Sequence, residues 1–203
     1  MGRREQNKRE KRRKLETEGL TAFLDQGYDR ASIEQIAQAS GVARGTFYLY
    51  FSDKLALFEH LVDLWFDPVL ELMQDVYDEL SEATERAESL AIYNRMAGEL
   101  AFLGLQNANV VLLAFQESRH AGEAGERIRA REVQMQEAVV QLTALAAERG
   151  LITAKDPKLV SLLIIGGVEK VYYEFLTGND LGDPQELALS VVRLFGKLLD
   201  LPG

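Results

Sequence analysis

Three of the four prolines in this 203-residue chain stand directly after an aspartate, at Asp67-Pro68, Asp156-Pro157 and Asp183-Pro184. That dipeptide is a helix-start signal. The aspartate accepts a hydrogen bond from a first-turn amide, and proline at the first helical position gives up an N–H that has no partner inside the helix. Ser32-Ile33-Glu34-Gln35 is a second kind of start, a capping box in which Ser32 and Gln35 satisfy each other's backbone amides. No stretch alternates apolar and polar residues, and β-branched residues do not gather between turn signals, so nothing reads as a strand. An all-α fold is expected.

The same punctuation divides the chain into about nine helices. The first covers about residues 7–26 and ends at Gly27. Ser32 opens a second, which stops where Gly41 offers a left-handed C-terminal residue. A third covers about 43–50, and Ser52 caps a fourth with Asp53 near the positive end of its dipole. Apolar spacing through Phe58, Leu61, Trp65, Leu72 and Val76 stays in phase across Pro68, which predicts one long helix kinked there. Further helices are expected at about 82–104, 108–120, 124–149, 157–177 and 184–200.

Composition narrows what such a chain does. It has no cysteine, so disulfide scaffolds, thiol catalysis and cysteine-ligated metals drop out, which fits a reducing compartment. His60 and His120 are the only histidines, too few for a histidine-rich metal centre. Charged residues follow Arg3-Arg4 where a secretory signal wants an apolar core, and Gln6 stands where a myristoylation signal wants Ser or Thr. The longest uncharged stretch, Leu100 to Gln116, is shorter than the ~20 apolar residues of a spanning helix and contains Gln106, Asn107 and Asn109. A cytoplasmic protein with no membrane partner is expected.

The net charge of −9 is unevenly spread. Residues 1–54 carry 11 Lys/Arg and 8 Asp/Glu, net +3, while residues 55–203 carry 12 and 24, net −12. Eight basic side chains fall within the first fourteen residues, against Glu5 and Glu10. A basic head on an acidic body suggests a polyanion partner at one end. The basic tail is either a solvated helix face or an arm that tracks phosphates or enters a minor groove.

Two short helices joined at Ser40-Gly41-Val42 make a helix-turn-helix. Ile36, Ala37, Val42 and Phe47 form the small core that sets the crossing, and glycine permits the sharp turn. The second helix then projects Arg44, Thr46 and Tyr48 from one side while Phe47 and Phe51 point inward. Arginine forks onto guanine, threonine meets a thymine methyl or a phosphate, and tyrosine meets phosphate or a base edge. Gly45 lets the backbone approach a groove closely, and Lys54 is placed to neutralise phosphate.

Gly27-Tyr28, Ala31-Ser32-Ile33, Ile36-Ala37, Ser40-Gly41-Val42, Gly45-Thr46-Phe47-Tyr48, Tyr50-Phe51, Lys54 and Leu57-Phe58 closely resemble the N-terminal domain of the TetR family of bacterial and archaeal transcriptional regulators. The resemblance covers roughly residues 10–58, about a quarter of the chain. It implies a three-helix DNA-binding domain over 1–54, followed by a helical effector-binding and dimerisation domain over 55–203. It implies DNA contacts from Ser32, Arg44, Gly45, Thr46, Tyr48, Tyr50 and Lys54. Gly19 departs from the family's more usual alanine, at up to ~1 kcal/mol of helix propensity.

In the body, Leu159 to Val168 is apolar nearly all round, and such a helix must be buried on every face. A second copy of the chain is the economical cover, with an intramolecular core as the alternative. Leu159, Leu163, Gly166 and Gly167, with Val191, Phe195 and Leu198 of the last helix, form the expected dimer surface. Trp65, Phe66, Tyr93, Met96, Phe102, Phe115 and Tyr172 either line an effector pocket or are plain core. Glu117 and Glu169 matter only if buried. No cofactor motif, paired His/carboxylate motif or phosphate loop supports an all-α enzyme. Residues 3–14 lack a large apolar residue to anchor a membrane-surface helix. The expected function is a homodimeric TetR-type regulator on double-stranded operator DNA, a repressor released by a small molecule; an activator or ligand-independent regulator is the alternative.

Overall fold

The computed structural model describes residues 2–183, 186–187, 189–191 and 193–194. These residues contain no strand. Their helices are α1 (Arg3–Gln26), α2 (Ile33–Ala39), α3 (Arg44–Phe47), α4 (Lys54–Glu82), α5 (Arg86–Gln106), α6 (Ala108–Glu117), α7 (Glu123–Glu148) and α8 (Pro157–Leu176). The described residues from 186 onward are also helical, whereas Pro184, Phe195 and Leu198 of the expected last helix lie outside the described residues.

The start signals act as expected, with two shifts. At α2 the capping box is complete: Gln35 N–H donates to Ser32 Oγ at 3.2 Å and Ser32 N–H donates to Gln35 Oε1 at 3.0 Å. Asp156 caps α8 by accepting from Leu159 N–H at 3.0 Å, with Pro157 in the first turn. At α4 the cap is Asp53, not Ser52, because the carboxylate accepts from Ala56 N–H at 2.8 Å while Ser52 Oγ donates to Asp53. α3 is a single turn rather than the expected 43–50. Leu49 and Tyr50 bond back to Thr46 and Phe47, three residues earlier, and this tighter winding ends the helix. α4 runs unbroken through Pro68.

The chain divides into two compact units, Met1–Trp65 with Asn109–Ala130, and Phe66–Ala108 with Arg131–Gly203. Compaction thus groups α6 and the start of α7 with the helix-turn-helix, whereas the motif and the charge divide the sequence at residue 54. In the first unit Phe23, Tyr28 and Phe58 stack with centroids 5.1–5.7 Å apart, and Phe47 and Phe51 lie 5.8 Å apart, all five buried. Leu15, Ile36 and Leu57 complete that core. Gly19 has a packing reason: a Cβ there would sit 2.6 Å from Leu57 Cδ2.

The second unit is braced by hydroxyls between helices. Tyr93 on α5 donates to Leu142 O on α7 at 3.1 Å, and Tyr172 on α8 donates to Ala101 O on α5 at 3.2 Å. Buried Ser161 on α8 donates to Thr143 Oγ1 on α7 at 3.0 Å. Tyr172 fits only because α5 has Gly104 beneath it, where a Cβ would lie 1.7 Å from the phenolic oxygen.

Candidate nucleic-acid interface

Gly41 makes the turn between α2 and α3. Its φ of +67° is a left-handed conformation that a side chain disfavours. Ser40 Oγ closes the end of α2 by donating to Ile36 O at 2.7 Å, and Val42 N–H donates to Ala37 O at 3.0 Å. The turn is therefore held from both sides, and α3 leaves it in a fixed direction.

Around α3 the inward and outward residues separate as the pattern requires. Phe47 is fully buried, while Arg44, Gly45 and Tyr48 are exposed and Thr46 is half-buried. Nothing lies within 4 Å of a Cβ built on Gly45, so this face is open. Tyr50 is half-buried and Ser32 is engaged in the capping box. Arg44 is not free: its guanidinium pairs with Glu34 across the turn and reaches Tyr48 Oη at 3.5 Å. The Tyr48 hydroxyl first, and Glu34 second, hold it further on its charged side.

Lys54 departs from the expectation of a cation free for phosphate. Its ammonium donates to Tyr28 O at 2.6 Å, Ala31 O at 2.9 Å and Asp29 O at 3.3 Å, and sits 4.2 Å from the Tyr28 ring centroid. Three carbonyls use its three donors. Desolvation lowers its pKa, with Asp29, Glu123 and Glu117 opposing the shift. Lys54 is a clamp between the start of α4 and the loop before α2.

That loop has a second anchor that the local sequence does not reveal. Glu117, at the end of α6, is buried and accepts from Tyr28 N–H at 2.9 Å, with His120 Nδ1 3.3 Å from its other oxygen. The Tyr28 hydroxyl is pushed up to about 12, chiefly by burial and then by Glu123 at the start of α7. Arg127 of α7 also pairs with Glu59 of α4 at 2.9 Å. The only advance signal was that Glu117 would matter if buried, and it is.

The basic tail is helical from Arg3 onward. Lys8, Arg9 and Arg12 face Leu49 and Tyr50 across a cleft of about 290 Å³, with Glu5 at its edge. Arg12 is positioned by Glu16 at 2.9 Å and by the Phe51 ring at 5.6 Å. His60 Nε2 lies 2.8 Å from the same Glu16 carboxylate.

The expected effector residues are divided between the two units. Trp65 and Phe115 belong to the first unit, whereas Phe66, Tyr93, Met96, Phe102 and Tyr172 belong to the second. Phe66 is buried core, Phe102 is 59% exposed, and Tyr93 and Tyr172 are the interhelical braces. A shallow groove of about 340 Å³ in the second unit is lined instead by Glu79, Glu82, Glu88, Ala91, Ile92 and Arg95, with Arg95 forked onto Glu79 at 2.7 Å. Of the expected dimer surface, Leu159, Leu163 and Gly166 are exposed and Gly167 and Val191 half-buried; Phe195 and Leu198 lie outside the described residues. Among the described residues no single helix is long and apolar enough to cross a membrane.

Residues 18–61 match the family model of bacterial regulatory proteins, tetR family. Over 191 residues the chain is 27% identical to the uncharacterized HTH-type transcriptional regulator YdgC of Bacillus subtilis (strain 168), covering 91% of this chain and 90% of that one. A 38-residue stretch is 50% identical to YvdT of the same organism, itself an uncharacterized HTH-type transcriptional regulator, and covers 19% of this chain and 20% of that one. Among solved structures, the fatty acid degradation regulator FadR of Bacillus halodurans shares the fold with a TM-score of 0.70 at 22% identity, over 95% of this chain and 97% of that one. FadR of Bacillus subtilis, solved with stearoyl-CoA, gives 0.67 at 19% identity, over 90% and 96%. The family match falls on the same residues that build the turn and the outward face of α3, so residues 18–61 form a helix-turn-helix similar to that of the tetR family of bacterial regulatory proteins.

Proposed function

We propose that the chain acts as a homodimeric repressor on operator DNA, in the cytoplasm, and is released by a small-molecule effector. The observation that carries the DNA half is α3, where Arg44, Gly45 and Tyr48 stand on an open face above a fully buried Phe47. Arg44 and Tyr48 read base edges, and Thr46, Tyr50 and the α2 N-terminus at Ser32 seat phosphates. Lys54 contributes by fixing the loop that carries Ser32. The cleft of Lys8, Arg9 and Arg12 beside Tyr50 supports a phosphate-tracking role for the basic arm.

Dimerisation is supported by α8, where Leu159, Leu162, Leu163 and Tyr173 are exposed at helical spacing. A single copy leaves that face in water, and a two-fold partner covers it. Two heads then read half-sites one or more helical turns apart. Functionally, residues 1–54 are the DNA-binding head and 55–203 the effector-binding and dimerising body.

Release is a population shift. Glu117 and Glu123 bring the end of α6 and the start of α7 onto Tyr28, next to the loop before α2. An effector that favours a different placement of α6 must break the Glu117 bond or move the loop with it. A tenfold loss of DNA affinity requires about 1.4 kcal/mol of such coupling. Footprinting on the DNA upstream of the protein's own gene tests the first half, with protection of a two-fold-related site expected. A release screen tests the second, and long-chain acyl-CoA is the first probe because a structural neighbour was solved with stearoyl-CoA. An unprotected upstream region ends the operator reading.

A further inference from the structure

We infer that Glu34 is a specificity-determining residue that turns Arg44 from a general DNA-binding cation into a reader of guanine. The inference rests on the DNA-binding role of α3. Glu34 lies in the first turn of α2, on the far side of the Gly41 turn, and its carboxylate pairs with the Arg44 guanidinium. The capping box does not explain it, because Gln35 alone bonds back to Ser32. Stability does not explain it either: both side chains are more than half exposed, and exposed ion pairs contribute little to folding.

The pair's position does explain it. Glu34 stands between the two groups that meet DNA, Ser32 at the start of α2 and Arg44 at the start of α3. While paired, Arg44 adds no net charge to the face that approaches a phosphate backbone. On arbitrary sequence, the remaining donors of Arg44 reach a phosphate only with the Glu34 carboxylate beside it, and that carboxylate repels the polyanion. On guanine the outcome differs. A guanidinium has five donors, and the pair with Glu34 and the contact with Tyr48 leave donors available for O6 and N7. The neutral acceptors of guanine tolerate the paired carboxylate, whereas an anionic phosphate is repelled by it.

The test compares wild type, Glu34→Gln and Arg44→Ala on the protected upstream duplex and on a scrambled duplex of equal length, across a salt series. Circular dichroism checks that E34Q keeps its helices. E34Q is expected to bind the scrambled duplex more tightly, with a log–log salt slope steeper by about 0.9, the value of one additional neutralised phosphate. The ratio of specific to scrambled affinity is expected to fall roughly tenfold, within the range of one lost base discrimination. If E34Q leaves both ratio and slope unchanged, or weakens both duplexes equally, while R44A still impairs the specific one, the role of Glu34 is overturned and the DNA-binding face stands. If wild type itself does not prefer the specific duplex, both fall together.

Discussion

The two compact units differ in where their exposed large apolar side chains lie. In the first, Phe23, Phe47, Phe51 and Phe58 are all buried, and the surface around α3 shows arginine, tyrosine and glycine beside a single exposed leucine, Leu49. In the second, Leu90, Phe102, Val133, Leu159 and Leu163 are each about half exposed or more. A unit whose aromatic core is already inside has its exposed arginine and tyrosine available for a polar, charged ligand. The exposed leucines of α8 in the second unit are the face proposed for a second copy. The difference separates a surface proposed for DNA from one proposed for a second copy of the protein.

The most forceful way to break that comparison is to truncate each unit and read different quantities. Phe58→Ala is expected to cost about 3–5 kcal/mol of folding stability by chemical denaturation, since it empties a stacked aromatic core. Leu163→Asp is expected to leave helical content intact yet abolish self-association in sedimentation equilibrium, because it places a charge against its own copy. A Leu163→Asp protein that remains dimeric would move the interface away from the α8 face.

Smaller effects sharpen the roles of single groups. Glu117→Ala leaves the buried Tyr28 N–H without its acceptor and is expected to cost about 1–3 kcal/mol. Lys54→Met, which strips the clamp from Tyr28 O and Ala31 O, belongs in the same range. Arg44→Ala is the contrasting cation: stability within about 0.5 kcal/mol of wild type, with a loss of DNA specificity instead.

Alkaline pH probes the second unit's braces. Burial raises Tyr93 to about 12, above its ordinary 10, so the folded state keeps the proton after the unfolded state has lost it. Its stabilising contribution is full below about pH 10 and is lost as pH rises toward 12, by about 3 kcal/mol at most. Tyr93→Phe is expected to flatten that part of the stability profile. Gly19→Ala should have the smallest effect. The roughly 1 kcal/mol of helix propensity it gains is offset by crowding against Leu57, and a variant no more stable than wild type is expected.

Much of the fold was legible because helix starts and stops are written within four residues of one another. Ser32 and Gln35, Asp156 and Leu159, and Gly41 each act on their own turn of backbone. The unbroken passage of α4 through Pro68 followed from apolar spacing alone. The site was legible to the extent that it is local, namely the turn, the inward Phe47 and the outward Arg44 and Tyr48. What escaped depends on partners distant in sequence. Lys54 turns inward because carbonyls 23 to 26 residues earlier receive it, and Glu117 meets Tyr28 across 89 residues. Glu34 is a first-turn acid of α2, and only the Gly41 turn brings Arg44 beside it. Aromatic character alone also does not announce that Phe66 is core or that Tyr93 and Tyr172 brace helices.

The most direct test of the DNA-reading face is equilibrium binding of wild type and Arg44→Ala to the upstream duplex and a scrambled duplex, at one stated salt concentration. Wild type is expected to prefer the upstream duplex by at least about a thousandfold, the lower range for specific recognition, with Arg44→Ala losing roughly 5–150-fold of that preference while folding normally. Equal affinity of wild type for both duplexes, or a preference that Arg44→Ala leaves untouched, would contradict the assignment of this face to sequence-specific DNA recognition.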